Sequence, residues 1–308
     1  MMSAASGRAM SLRLGSLAGL PVDAIADEIG LLTGRQVLHV PVESAPDDDQ
    51  AVGAGHHAHD RASALRAQLL AGEIDCAVHA VPDLPATPQS GLTLAATPAR
   101  DDIRDVLVAS TLWADLHPGA TVATTSARRP AMLRRLRSDL RFHVLDGDLG
   151  SCLSLLHRGE VDALVCAGAH LRRHSPEIDS AETFAIEHLF PEPGQGALAL
   201  ECLSDRHDVV TTVRVLHDPR TWHATIAERT VQAAMPSDEN VIIGTYAVDD
   251  GHLVSLTAAA FSPDGRYAAR SFGTCASADC ETLGHFVAAD LRAAVTAWPT
   301  STDSEAAP

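Results

Sequence analysis

Apolar and polar residues alternate with a period of two along the stretch Ile74–His79, and such alternation is typical of a β-strand. A helical apolar spacing over Asp60–Leu70 comes just before it. Prolines favour extended backbone in the residue before them, so Pro82 and Pro85 predict that this strand ends in a polar loop. The loop presents Asp83 at the carboxyl end of a strand, which is the edge where open α/β sheets bind ligands.

The same patterning predicts the other elements of the chain. Helices are predicted over Val22–Leu32, Ala127–Arg137, Asp205–Leu216, His223–Ala234 and Ala278–Trp298. Strands are predicted over Val37–Val42, Val106–Ala109, Thr121–Ala123, Phe142–Leu145, Val241–Ala247, Val254–Phe261 and Tyr267–Ser271. Ser126 is predicted to cap the basic helix that follows it.

An internal repeat suggests how these elements are grouped. Leu69–Asp75 and Leu155–Asp162 each contain the end of a helix, a glycine turn and the start of a strand. Two such units predict two related α/β lobes with a ligand cleft between them, although chance similarity is the alternative. The predicted domains are lobe 1 at 1–95 with 196–218, lobe 2 at 96–195, and a C-terminal α+β domain with a polar tail at 219–308.

Charge restricts the partners. The 308 residues carry a formal net charge of −17 and contain no lysine, which argues against nucleic acid and anionic membranes as partners. No apolar run reaches the ~18 residues of a membrane helix, and the short polar start does not resemble a secretory signal. The six scattered cysteines favour reduced thiols in the cytoplasm over a disulfide framework.

Several ordered segments together resemble porphobilinogen deaminase (hydroxymethylbilane synthase) of tetrapyrrole biosynthesis. The matching segments are Gly72–Pro85, Arg100–Val108, Thr124–Arg129, Gly159–Arg173, Pro191–Glu201, Ala227–Arg229 and Gly244–Ala247. The resemblance implies an α/β fold with two lobes like type II periplasmic binding proteins, a central cleft and a small C-terminal α+β domain. It also implies a monomer that joins four porphobilinogen units and releases ammonia at each step, on a dipyrromethane primer held by a cysteine thioether.

Some functional positions of that family are retained. The resemblance makes Asp83 the catalytic carboxylate, with a turn-capping aspartate as the alternative. It assigns substrate carboxylates to Thr125, Ser126, Arg128, Arg129 and Arg173, and places Gln195 at the hinge between the lobes. A solvated basic helix face is the alternative for the arginine pair, and a plain turn is the alternative for Gln195. His79 also matches, as a proton carrier or as a core histidine satisfied by backbone.

Other family positions are altered. Leu17, Pro82 and Cys152 replace basic residues, Ala80 and Gly19 replace serines, and Asp146–Asp148 replaces an Arg-Gly-Asn segment. Each lost charge-assisted hydrogen bond supplies roughly 1.5–3 kcal/mol. Glu239 occupies the position of the primer cysteine, and a carboxylate forms no stable thioether. The sequence therefore predicts that no dipyrromethane cofactor is present; Cys275 and Cys280 lie in the same domain but far along the chain.

A histidine-rich segment replaces the lid of the family. His56, His57 and His59 are residue types that ligate transition metals, but no partner ligands are identifiable, so no metal site is predicted.

Three functional hypotheses remain after these comparisons of positions. The first is a porphobilinogen deaminase-like protein with impaired or absent tetrapolymerisation, a candidate pseudoenzyme. The second is a non-catalytic binding or regulatory module for a small carboxylated pyrrole or another small organic anion, held by Arg128, Arg129 and Arg173. The third is a different chemistry in which Asp83 acts on one small substrate.

Overall fold

The computed structural model describes residues 11–17, 20–43, 54–85, 89–145, 149–236 and 240–299, with backbone alone at 54–61. The helices are α1 Val22–Thr33, α2 Ala54–Ala71, α3 Arg128–Leu133, α4 Leu149–His157, α5 Gly168–His174, α6 His207–Val213, α7 Pro219–Ala234 and α8 Cys280–Val295. The strands are β1 Leu12–Ser16, β2 Val37–Pro41, β3 Cys76–Ala80, β4 Leu92–Ala96, β5 Asp105–Val108, β6 Thr121–Thr124, β7 Arg141–Val144, β8 Ala163–Ala167, β9 Glu182–Thr183, β10 Leu198–Leu203, β11 Ile242–Asp249, β12 Leu253–Phe261 and β13 Ala268–Ala276.

Ten of these strands form two five-stranded sheets with the same arrangement of parallel and antiparallel neighbours. The first sheet has the order β2-β1-β3-β10-β4 and the second has the order β7-β6-β8-β5-β9. In each sheet the first three strands are parallel and the fourth is antiparallel to both of its neighbours. Together with a third, smaller sheet, this confirms the predicted fold class of two type II periplasmic-binding-protein-like lobes and a C-terminal α+β domain.

Each copy of the sequence repeat forms the same local structure, a helix that ends at a glycine and is followed by a strand. Gly72 follows α2 and Gly159 follows α4, and both have left-handed backbone, with φ values of 71° and 69°. Glycine adopts this conformation without the steric penalty of a Cβ atom, so each helix ends there and the chain turns into β3 or β8. The two copies therefore have the same local cause.

The described residues divide into two compact units. The first comprises those within Met1–Ala51, His56–Ala99 and Leu198–Asp218, and the second those within Val52–Gly55, Arg100–Ala197 and Pro219–Pro308. The predicted three-domain boundaries stay a prediction.

Apolar packing holds each unit together. In the first unit, Leu14, Ile29, Val78, Leu200 and Val213 belong to one buried cluster of strands and helices. In the second, the C-terminal sheet, with strand order β11-β12-β13, packs Leu256 and Ala258 against α7 and α8. The opposite face of β12 contributes Ala259 and Phe261 to the core around β5, β6 and β8.

Among the predicted elements whose bounds differ from the observed ones, two have a clear physical reason for the difference. The basic helix ends at Leu133 rather than Arg137, because the next turns tighten into bonds such as Arg135 N to Met132 O (3.2 Å). The last strand reaches Ala276 rather than Ser271, because it pairs with β12 along its whole length. The predicted Ser126 cap is also wrong: Ala127 is the N-cap residue and has no side-chain capping bond.

Candidate functional site

Asp83 lies directly beyond the buried strand β3. Ala80 ends the strand in extended backbone, and Val81–Asp83 form a single 3-10 turn closed by Leu84 N donating to Val81 O at 3.1 Å. The predicted polar loop is therefore a tight turn, which places a half-buried carboxylate at the carboxyl end of a parallel strand. The catalytic role of Asp83 stays a prediction.

A buried charged cluster adjoins the same strand. Arg66 donates two hydrogen bonds to Glu201, at 2.9 and 2.8 Å, and all of these side chains are buried. His79 Nε2 lies 3.2 Å from Glu201 Oε2, but no well-directed hydrogen bond reaches it. Burial opposes the ionisation of Glu201, yet the contacts with His79 and Arg66 hold its pKa below the ordinary value. His79 is thus a core histidine whose Nε2 atom faces a carboxylate.

Arg128 and Arg129 form the centre of the candidate site in the second unit. They are 6% and 5% exposed, so a solvated basic helix face is excluded. Arg128 Nη2 donates to Asp105 Oδ2 at 2.7 Å, and Arg129 Nε donates to Asp105 Oδ1 at 3.1 Å. Burial opposes the ionisation of Asp105, but the positive charges of both arginines hold its pKa below the ordinary value.

The remaining donors of the two guanidinium groups are mostly used. Arg129 Nη1 donates to Thr124 Oγ1 at 3.0 Å, and Arg128 Nη1 donates to the carbonyl of Phe190. Arg128 Nε is buried and has no hydrogen-bond partner in the part of the chain that the structure describes. Such an orphaned donor is rare in folded proteins and fits an acceptor supplied by a ligand.

Gln195 belongs to the same cluster. Its amide nitrogen donates to Ile103 O at 2.6 Å and to Asp105 Oδ1 at 3.2 Å, while its oxygen accepts from Arg128 Nη2 at 3.2 Å. The side chain is buried, so Gln195 is more than a turn residue. Its predicted role at a hinge stays a prediction.

Arg173 lies at the end of α5. Its Nη2 donates to Asp101 Oδ2 at 3.2 Å, and Arg172 donates to the other oxygen of that carboxylate at 2.8 Å. Arg173 thus already has an internal carboxylate partner, as Arg128 and Arg129 have in Asp105.

Thr125 and Ser126 precede α3 and are half-buried. Ser126 N donates a long hydrogen bond of 3.4 Å to Thr124 Oγ1. Their predicted role on substrate carboxylates stays a prediction.

Sequence reasoning missed four buried or half-buried acids that organise these residues: Asp101, Asp105, Glu201 and Glu228. Glu228 is fully buried, accepts from Arg100 Nη1 and Nη2 at 2.8 Å each, and accepts from Gly194 N and Ala247 N. An acidic residue within an apolar run, such as Glu201 in Leu198–Leu203, could have indicated these buried acids. A carboxylate in such a run is expected to be buried, and a carboxylate is seldom fully buried without a partner.

The altered positions lie partly within the described residues. Leu17 is half-buried and packs beside Val42 and Leu65, while Cys152 is fully buried in the core around α4. Pro82 stands inside the 3-10 turn before Asp83. Gly19, the Asp146–Asp148 segment, Glu239 and the side chains of His56, His57 and His59 lie outside the described residues.

Three further observations concern predicted features. Across the described residues, no cluster of His, Cys, Asp and Glu has the arrangement of a metal site. None of the described helices has the length and apolar character that crossing a membrane requires. The six cysteines are free thiols, and five of them are buried.

Comparison with solved structures gives remote matches at low sequence identity. A putative methionine-binding lipoprotein from Bacillus subtilis is 14% identical, with a TM-score of 0.43 over 68% of this chain and 90% of that chain. A periplasmic VFT2 domain of BvgS from Bordetella pertussis is 18% identical, with a TM-score of 0.41 over 66% of this chain and 85% of that chain.

Comparison of sequences identifies the family. Residues 20–211 match a family model described as "Porphobilinogen deaminase, dipyromethane cofactor binding domain". The porphobilinogen deaminase of Acidothermus cellulolyticus is 40% identical over 74% of this chain and 70% of that protein. The porphobilinogen deaminase of Thermobifida fusca is 42% identical over 68% of this chain and 67% of that protein. The chain belongs to the porphobilinogen deaminase family.

This result corrects the prediction of no cofactor. The matched model is itself the dipyrromethane cofactor-binding domain, and it covers more than half of the chain. The prediction failed because it inferred the absence of the group from one position, Glu239, whereas binding of a carboxylated dipyrrole draws on many polar contacts.

Proposed function

We propose that this chain is a cytoplasmic, monomeric porphobilinogen deaminase-like transferase of tetrapyrrole biosynthesis whose tetrapolymerisation is impaired. The observation that carries the proposal is the pairing of retained and lost positions: the cluster of Arg128, Arg129 and Gln195 is fully built, while Leu17 and Cys152 are apolar or buried where the family has arginine. A product with many carboxylates therefore loses several cationic partners.

The described residues fit a dipyrromethane group through its carboxylates. The orphaned Arg128 Nε offers a donor, and Thr125, Ser126 and Arg173 offer further donors at or near the surface. When bound, dipyrromethane supplies the pyrrole carbon to which the next unit is joined. Because Glu239 cannot form the family's thioether, we assign retention of the group to these carboxylate contacts.

Asp83 is the proposed catalytic carboxylate. Its half-buried position just beyond the buried strand β3 suits a group that stabilises a cationic pyrrole and handles protons. The Asp83→Asn variant keeps the shape of the side chain and removes its charge, so porphobilinogen consumption should fall by about 100-fold or more.

The test is a parallel assay of this protein and the Thermobifida fusca relative with porphobilinogen, following its consumption and the formation of hydroxymethylbilane. We expect slow consumption and little tetrapyrrole from this chain, and an increase in tetrapyrrole from its Glu239→Cys variant. Tetrapyrrole formation as fast as that of the relative would contradict impaired tetrapolymerisation. Binding of porphobilinogen with no consumption, in the unchanged chain and the variant, would favour the binding module instead.

A further inference from the structure

Three residues with no role in the proposed function meet at the carboxyl end of β1. Ser16 ends β1, His39 lies in β2, and Asp23 lies in the first turn of α1. Ser16 Oγ is 3.0 Å from His39 Nε2, and His39 Nδ1 is 3.4 Å from Asp23 Oδ1. A hydroxyl, an imidazole and a carboxylate thus form a continuous chain of polar contacts.

The fold brings these residues together in a definite way. Strands β1 and β2 are parallel, and Leu14 is the partner of His39, so these two side chains lie on the same face of the sheet. Ser16 lies two residues after Leu14, so its side chain is on that face as well. Helix α1 covers that face, because Leu14, Ile25 and Ile29 share one apolar cluster. Its first turn therefore carries Asp23 to the strand ends.

The order of contacts matches that of an activated nucleophile. With the ring proton on Nδ1, directed to Asp23, the Nε2 atom of His39 accepts the proton of the Ser16 hydroxyl. Serine, base and orienting carboxylate are recognised by this geometry and not by their order in the chain. Ser16 is only 2% exposed, the His39 side chain is 34% exposed and the Asp23 side chain is 90% exposed, so the group opens to solvent on the side of His39 and Asp23.

We propose that Ser16 is a nucleophile for small neutral esters, with His39 as its general base and Asp23 as a positioning residue. The burial of Ser16 restricts the acyl group to a short one. The half-buried side chain of Leu20, which packs against the same apolar cluster as Leu14, offers apolar surroundings, and the charge of Asp23 disfavours anionic substrates. This activity stands apart from the proposed function, since neither porphobilinogen nor a pyrrole takes part in it.

The reaction balances without a co-reactant other than water. Ser16 Oγ forms a bond to the ester carbonyl carbon while its proton passes to His39 Nε2. The bond to the alcohol oxygen then breaks, and the alcohol leaves with that proton. Water, deprotonated by His39, next attacks the acyl-serine, releases the carboxylic acid and returns the proton to Ser16.

The test uses p-nitrophenyl acetate and the full chain. We expect rapid release of about one equivalent of p-nitrophenol per protein, followed by slower turnover. The Ser16→Ala variant should lose the rapid phase, and His39→Gln should slow acylation by about 100-fold. Asp23→Asn should lower the acylation rate constant by about tenfold with the apparent KM unchanged, which a purely structural role would not produce.

Matched variants on α4 control for surface reactivity. Ser154→Ala and His157→Gln change exposed residues of the same types and should leave the rapid phase intact. Peptide mapping of the unmodified chain after treatment with a fluorophosphonate needs no variant, so it decides the question even if Ser16→Ala fails to fold. A label on Ser16 supports the proposal. A label elsewhere, no label, or an equal rapid phase in His39→Gln and His157→Gln would overturn it.

Discussion

The strands β10 and β5 occupy the same place in their sheets, yet their buried carboxylates lie at different heights. Glu201 lies in the middle of β10 and is the partner of Ala77, the second residue of β3, whereas Asp105 of β5 is the partner of Ala167, the last residue of β8. The mid-strand carboxylate contacts one arginine from a helix and one core histidine. The strand-end carboxylate contacts two arginines at the edge where α/β sheets bind ligands.

This difference in position gives the two buried carboxylate–arginine pairs different roles. A carboxylate in the middle of a sheet can only join the sheet to a covering helix, because water and ligands do not reach it. A carboxylate at the end of a strand holds cations in place where an anionic ligand can compete for them. Changes to Glu201 should therefore affect stability alone, and changes to Asp105 should affect both stability and binding.

The largest effect is expected from Asp105→Ala. It leaves Arg128 and Arg129 buried without their carboxylate partner, so the free energy of unfolding should fall by about 3–5 kcal/mol. Urea unfolding followed by circular dichroism measures the change, and Asp115→Ala at an exposed position should change it by less than about 0.5 kcal/mol. A loss below about 1 kcal/mol would show that Asp105 does not hold the pair.

A smaller loss is expected from Glu201→Gln. The amide keeps one acceptor for Arg66 but removes the charge, so the free energy of unfolding should fall by about 2–3 kcal/mol. Exposed Glu73 in the same unit is the control, and Glu73→Gln should be nearly neutral. Equal stabilities of the two variants would remove the structural role of the buried pair.

The pH dependence gives the third test. Burial opposes the ionisation of Asp75, but hydrogen bonds and charge from Arg13, aided by Arg206, hold its pKa below the ordinary value of 3.8. A lowered folded pKa means that the stabilisation is fully present well above pH 3.8 and is lost as the pH falls through the folded value. At pH 7, Asp75→Asn should lower the unfolding free energy by about 1–2 kcal/mol.

Comparing Asp75→Asn with the unchanged chain at low pH tests the direction of this pH dependence. The gap between Asp75→Asn and the unchanged chain should narrow as the pH falls below about 4, because the unfolded chain then binds a proton at Asp75 while the folded chain still keeps the charge, and it should close once the pH falls through the lower folded pKa. Chemical unfolding at pH 7 and at pH 3 measures both values. A gap that stays constant or widens on acidification would contradict the assigned contacts of Asp75 with Arg13.

The sequence predicts the fold well because the helix–glycine–strand pattern that it repeats is determined by neighbouring residues. The turn glycines Gly72 and Gly159 each end a helix for the same backbone reason, and the apolar strands beside them leave one plausible arrangement. The site is predicted only in part. The positions of Arg128 and Gln195 follow from the family resemblance, but their partner Asp105 lies 23 positions before Arg128 and only the folded sheet brings the two together.

The missed cap and helix end have a different cause. Ser126 precedes a short helix whose N-cap residue is Ala127, and nothing in the local pattern distinguishes the two positions. Arg134 to Arg137 have good helix propensity, but Arg137 instead binds the carbonyls of Trp113 and Leu116, so tertiary contacts override the local preference.

The smallest effect on stability is expected from Ser126→Ala. Because Ser126 caps no helix, its replacement should change the unfolding free energy by less than about 0.5 kcal/mol, against about 1 kcal/mol for a true N-cap. Porphobilinogen binding, measured by calorimetry, should nevertheless weaken about three- to tenfold if the hydroxyl contacts a substrate carboxylate. Unchanged binding would remove Ser126 from the proposed site.

Calorimetric titration of Asp105→Asn with porphobilinogen, at a temperature where the variant is folded, tests the distinction between the two carboxylates most directly. Asp105 neutralises one of two buried arginines, so its removal should strengthen binding of the anionic ligand by about tenfold, or ~1.4 kcal/mol, while Glu201→Gln binds within about twofold of the unchanged chain. Equal or weaker binding by Asp105→Asn would contradict the placement of the ligand carboxylates on Arg128 and Arg129.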